Sequence, residues 1–364
     1  MAASESALIA VETGHQIDLI RFSNSMGASV NPSLISISKK VREVLLQWET
    51  LDTKKKMNQA IAEISAEMEK ELGKFTGEFE SDLKALIKEE IGFQYGVAKS
   101  AIGSGVAVAR PTIAATTQLI NSVPMVLNGS AISVDDYIGD YTPSQIKKVK
   151  DIIVGGWANH STMTTREIAQ QITGTKTVKG VLQASQRSAY MMAKDITSHT
   201  SSQSKAKVFQ ENSGLIVGEK TITTLDSKTS EICRLYGSQD GGGKEWLYSE
   251  HGRNFPRPGF HRNCRSTNIP ILAKEYREIA EEGRERPAVI DGKAKTVPAA
   301  TNWYDLAKAN PILAEQSLGA SRAKLLSEMS AKEFVDTAYN RLGTQLTLDE
   351  MKAKNPRVLS ILGG

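Results

Sequence analysis

Cysteine is almost absent from this sequence: 364 residues contain two, Cys233 and Cys264. So few exclude a fold stapled by several disulfides. Aromatic residues are scarce at 6%, which favours helices over a large β-sandwich. Neither sign of charge dominates, since 45 Lys and Arg face 41 Asp and Glu and leave a net +4. That excess is too small to argue nucleic-acid binding by itself. No uninterrupted run of about 20 apolar residues occurs, so no standard transmembrane helix is expected. The opening MAASESALIAVETG has no basic residue ahead of its apolar ones and does not read as a secretory signal. What is present is ordinary for a globular chain, 40% apolar and 24% charged, with length enough for two or three domains.

Most of the chain carries helical signals. Residues 1–35 are polar, broken by Asn24, Gly27, Asn31 and Pro32, and read as an N-terminal arm. Residues 36–132 read as a helical domain. In it Met57, Ile61, Ile64, Met68, Leu72, Phe75, Phe79, Leu83 and Leu86 step by 4, 3 and 4. This eleven-residue period keeps one apolar stripe on a helix of about 35 residues, with a Lys- and Glu-rich face opposite. Gly73 and Gly77 share a helix face, as a close approach or a hinge would use them. Residues 92–132 are apolar, small and nearly uncharged, and predict a buried helical pair. Helices are expected after Pro143, after a cap between Ser161 and Glu167, and from Ala184 to Asn212. Gly174 to Thr177 is a turn that lacks the frame of a phosphate loop. Residues 273–290 predict a charged helix end and a loop, 291–301 a linker, and 302–364 a small helical tail with a cap at Thr347 to Glu350.

Chemistry-bearing residues concentrate between Thr221 and Ile271, where both cysteines and two of the five histidines, His251 and His261, lie. Ile222 to Leu225 suits a strand, residues 226–230 a turn, and Ser230 onward a short helix. Gly237 and the Gly241-Gly242-Gly243 run open a loop, and Ile269 to Leu272 reads as a return strand. The spacing of His261 and Cys264 lets both point at one ion from a tight turn, with Cys233 as a third ligand. Thiolate and imidazole together suit zinc, and Asp226 or His251 is a candidate for the fourth position. A Cys233–Cys264 disulfide and two small buried apolar residues are the other readings of the sulfurs. His251, Asn254 and His261 also form the loose His–Asn–His series of a metal-dependent nuclease. Pro256 and Pro258 stand where the ββα turn of such an enzyme would have to form.

The same stretch resembles the phage head morphogenesis family, the minor capsid proteins related to the F protein of phage Mu. The matching residues are Thr223, Asp226, Thr229, Cys233, Gly237, Pro258, His261, Cys264 and Arg265. Where the family carries two further cysteines, this chain has Ser230 and Ser266. A weaker likeness extends over about residues 150–350 and includes Trp303 to Leu306 and Leu318 to Arg322.

The expected fold is α+β and predominantly helical, with long N-terminal helices, a small β-containing core around 215–275 and a helical C-terminal tail. The expected divisions are an arm (1–35), a helical domain (36–132), a head-morphogenesis-like core (133–283) and a linker with tail (284–364). The resemblance implies a non-enzymatic virion protein inside the phage head near the portal, acting in assembly, DNA packaging or genome ejection, and in the host cytoplasm during assembly. Implied partners are the portal, other capsid proteins, packaged DNA and further copies of the chain. Alternatives are a nuclease or toxin-like effector on the same loop, and an ejected conduit protein that meets membrane through residues 92–132.

Overall fold

The computed structural model describes residues 4–103, 105–127, 130–237, 243–261, 263–276, 285–290, 292–298, 301–340 and 344–363. The chain begins with α1 (Glu5–Ala28), α2 (Asn31–Leu45) and α3 (Lys54–Ile102). Next come α4 (Ile113–Ser122), the hairpin of β1 (Met125–Leu127) and β2 (Ser130–Ile132), α5 (Val134–Gly139), α6 (Tyr141–Ala158), α7 (Thr165–Thr173) and α8 (Val181–Glu211). The middle holds β3 (Ile216–Ile222), α9 (Glu231–Tyr236), β4 (Glu245–Leu247), α10 (Tyr248–His251) and β5 (Thr267–Leu272). A hairpin of β6 (Glu285–Ile290) and β7 (Lys293–Pro298) follows. The tail comprises α11 (Trp303–Ala309), α12 (Pro311–Leu318), α13 (Ala320–Glu328), α14 (Ala331–Ala338), α15 (Leu348–Lys354) and α16 (Arg357–Leu362). The class is thus α+β and predominantly helical, as the sequence indicates.

Two compact units divide the chain, one of Leu19–Lys88 with Thr117–Thr200, the other of Met1–Asp18, Glu89–Thr116 and Ser201–Gly364. This division interleaves the sequence, whereas the domains read from the sequence are consecutive stretches. In the first unit the apolar stripe of α3 is buried from Met57 to Leu86, with Ile61 half-buried. Ser33 of α2 donates to the Glu71 carbonyl at 2.8 Å, and Phe75 packs on Tyr141 with ring centroids 5.3 Å apart. Gly73 and Gly77 face open space, so no close approach explains them. Thr164 and Glu167 close the capping box of α7, satisfying two of its orphan N–H groups. His199 is buried and bonded to the Ile120 carbonyl at 3.1 Å, a satisfied polar residue of the core.

The second unit contains the site-bearing sheet, in the order β4-β3-β5 and antiparallel throughout. Pro270 is tolerated because β5 is an edge strand and needs no donor there. Around the sheet the end segments of α1, α3 and α8 carry an unusually polar interior. Glu90 accepts from Ser201 at 2.6 Å and also bonds His15. Lys205 donates to Glu12 at 2.7 Å and to the Asn268 carbonyl at 2.8 Å. The tail helices form their own core around Trp303, Tyr304, Leu325 and Phe334.

Three expectations are corrected. Residues 5–28 form α1 rather than an arm: Leu8, Glu12, Leu19, Ser23 and Met26 share the buried face. The buried polar residues, with Val11 and Ile17 exposed, hide its periodicity. The segment 92–132 is not a helical pair but the end of α3, the short α4 and the β1–β2 hairpin. The charged segment and linker of 273–301 include the β6–β7 hairpin, whose Ala288, Ile290 and Val297 join the tail core. Residues 277–284, 291, 299 and 300 of that stretch lie outside the described residues.

Candidate metal centre

The centre is assembled by the pairing of β3 with β5. Ile222 lies opposite Thr267, so the chains leaving the sheet there start side by side. Thr223 and Ser266 continue the contact, with their hydroxyls 3.3 Å apart. Beyond Thr223 one chain turns at Asp226, whose Oδ1 accepts from the Lys228 N–H at 2.9 Å, a local turn that aspartate favours. Thr229 Oγ1 donates to the Thr224 carbonyl at 2.6 Å. Ser230 then caps α9, its Oγ accepting from the Cys233 N–H at 3.5 Å, which places Cys233 on the first helical turn. On the other chain Asn263 adopts φ 60°, and the Cys264 N–H donates to the His261 carbonyl at 3.1 Å. This is the tight turn expected of His261 and Cys264.

Three soft donor atoms converge. Cys233 Sγ lies 3.1 Å from His261 Nε2 and 3.7 Å from Cys264 Sγ, and all three ligand atoms lie within 4.8 Å of one another. Both thiols are free and buried, and the imidazole is half-buried. The hydrogen bond from Cys233, with those from His261 and the Gly259 backbone, outweighs burial and holds the Cys264 thiol well below its usual range. Its partner moves oppositely: the contact with Cys264 and burial push the Cys233 thiol up. Of the two sulfurs, Cys264 thus gives up its proton the more readily, toward the thiolate form that binds metal.

Geometry and chemistry fit a metal ion. Two thiolates bound tetrahedrally at about 2.3 Å from one ion lie about 3.8 Å apart, close to the sulfur spacing here. Neither fourth ligand expected from the sequence joins them. Asp226 is engaged by Arg265, which donates to both carboxylate oxygens, Nη2 to Oδ1 at 2.7 Å. Burial pushes the Asp226 carboxyl up, but the Arg265 guanidinium, together with hydrogen bonds from the Lys228 N–H and Thr229, outweighs it and leaves the carboxyl below the ordinary carboxylate value. His251 is exposed and packs edge-on against Trp246, ring centroids 5.3 Å apart. Among the described residues the acidic, His and Cys side chains of the group number three. Ser230 instead occupies the fourth side, Oγ 2.7 Å from His261 Nε2. Ser266 bonds Cys233 as well. The two serines that stand where the resembled family has cysteines therefore both border Cys233.

The remaining motif residues brace this arrangement. Gly237 must be small, since a Cβ there would sit 2.3 Å from the Thr223 methyl. Gly243 follows the same logic against the Thr221 carbonyl, at 1.9 Å, while Gly241 and Gly242 lie outside the described residues. Trp303 belongs by sequence to the tail alone, yet its Nε1 donates to the Asp226 carbonyl at 2.8 Å. Arg234 also stacks over Trp303 at 4.7 Å. The Trp-x-x-Leu likeness was the one available signal for that contact. No family model, no curated protein and no solved structure matches this chain.

Proposed function

We propose that this protein is a non-enzymatic component of a phage head, and that zinc held by Cys233, His261 and Cys264 staples its small α+β core. One observation carries the reading: the residues of the head morphogenesis resemblance are spent on one another. Asp226 is bound by Arg265, Thr229 closes the turn, Thr223 packs on Gly237, and Cys233 meets His261 and Cys264. A catalytic constellation would keep a general acid or base free to meet substrate. Here the motif's own side chains and backbone take up those groups. When bound, zinc would neutralise the thiolates and tie α9 to the turn before β5. The protein acts inside the head beside the portal, in contact with portal and capsid proteins.

The test is fractionation of the producing host's lysate on a density gradient, with nuclease-treated particles analysed by quantitative mass spectrometry. The chain is expected to sediment with particles and to stay with them after washing in high salt. Recovery wholly in the soluble fraction would overturn the virion reading. In the purified chain His261→Ala is expected to lower thermal stability and metal content together. A nuclease would instead lose metal-dependent DNA cleavage with its stability unchanged.

A further inference from the structure

The first unit carries an open surface depression of about 660 Å³ between the end of α2 and α7 with its following turn, lined by the exposed Arg42, Leu46, Arg166, Gln170 and Lys176 and the buried Thr173, among others. That volume falls in the range of about 300–1,000 Å³ typical of small-ligand sites. Its charged lining is all of one sign, two arginines and one lysine, with no carboxylate. Among the described residues none of the three has an ion-pair or hydrogen-bond partner through its side chain. Neighbouring charges are used differently. Lys40 bonds Glu43 at 3.0 Å and reaches Glu63 at 3.6 Å, while Glu167 is consumed in the cap of α7.

Helix electrostatics explain only part of this arrangement. Arg42 lies in the last turn of α2 and Lys176 just past the end of α7, where cations complement the helix dipole. Arg166 lies in the first turn of α7, where a cation is disfavoured. Arg166 nevertheless lines the same depression as the two other cations. Lys39, exposed one turn before Arg42, extends the same sign along α2. The Arg forks offer paired N–H donors that match a phosphate group, and the Gln170 amide adds a neutral donor.

We propose that this pocket binds a phosphate-bearing anion, clamped by Arg42 and Arg166 and closed by Lys176. The ligand is either a free polyphosphate or the phosphodiester backbone of a nucleic acid. The site stands independently of the virion reading and of the metal centre.

The test uses the full chain and two probes, inorganic pyrophosphate by calorimetry and a fluorescein-labelled 20-base-pair DNA duplex by anisotropy at two salt concentrations. The site variant is R42Q/R166Q/K176Q, with R166Q alone as a milder form. A control, K54Q/K55Q/K84Q, removes the same charge from exposed positions on α3, away from the site. The unchanged chain is expected to bind at least one probe. The site triple should weaken that binding by more than about tenfold, and the control should barely change it. Binding of pyrophosphate but not duplex assigns a free polyphosphate, whereas binding of duplex with a shallower salt slope in the site triple assigns the backbone. Failure to bind either probe overturns the proposal, and so does equal weakening by the control. Should the triple melt early, R166Q carries the same comparison.

Discussion

The loop between β3 and β5 is held at two ends by different chemistry. At one end Asp226, Arg265, Thr229 and Trp303 satisfy one another with strong donors and acceptors, two of them charged. At the other, Cys233 lies 3.1 Å from the His261 imidazole and 3.7 Å from the Cys264 thiol, and sulfur is a weak hydrogen-bonding group. The charged end is complete with protein groups alone. The sulfur end places soft ligands at metal spacing and leaves one side to Ser230. The charged end therefore fixes the fold of the loop, and metal adds to it.

That contrast can be broken at either end. Trp303→Ala should cost the most, about 3–5 kcal/mol by urea denaturation, because it opens a cavity in the tail core and orphans the Asp226 carbonyl. Its effect should be the same with and without chelator. Cys264→Ser should abolish zinc binding. At zinc about a hundredfold above the dissociation constant, the lost stability is about 2.7 kcal/mol. A strong chelator should bring the unaltered protein down to the level of the variant and leave the variant unmoved.

Arg265→Ala comes next, at about 2 kcal/mol, less than for a fully buried pair because the guanidinium is partly exposed. It should also change the acid limb. The Asp226 carboxyl titrates lower in the folded state than in the unfolded chain, so its stabilisation is present above an unfolded value of about 3.9. That stabilisation is lost as pH falls through the folded value. Melts between pH 5 and pH 2, on the order of the carboxylate range, should show a shallower loss in Arg265→Ala. Ser230→Cys sharpens the sulfur end, since a fourth soft ligand beside His261 should tighten zinc in a competition titration. His251→Ala should be smallest, within about 0.5 kcal/mol and with unchanged metal content, as for an exposed residue outside the cluster.

How much of this was legible in the sequence differed from place to place, for physical reasons. The stripe from Met57 to Leu86 was plain because its own positions are all apolar, the buried Ser65 and Glu71 lying off it. It continues to Glu90 and Gln94, both fully buried, where a pattern search stops because the residues are polar. The same masking hid α1 behind Glu12 and Ser23. The pairing of His261 with Cys264 was legible because a tight turn fixes it locally, and Cys233 joined them in the reading through shared ligand chemistry, although the contact itself depends on the register of β3 against β5. The engagement of Asp226 by Arg265 was not legible, because it depends on the register of β3 against β5 across a separation of 39 residues. Nor did the sequence point to β4, three residues long, and it marked Ser230 only as the place of a family cysteine, not as the neighbour of His261, since a capping serine looks the same whether or not a ligand lies next to it.

The most direct measurement is metal content by inductively coupled plasma mass spectrometry on the purified chain, with thiols counted under denaturing conditions before and after chelation. About one zinc per chain is expected, lost in Cys264→Ser and retained in His251→Ala. Metal-free protein that takes up no added zinc, whether its two thiols are free or joined, would contradict this expectation.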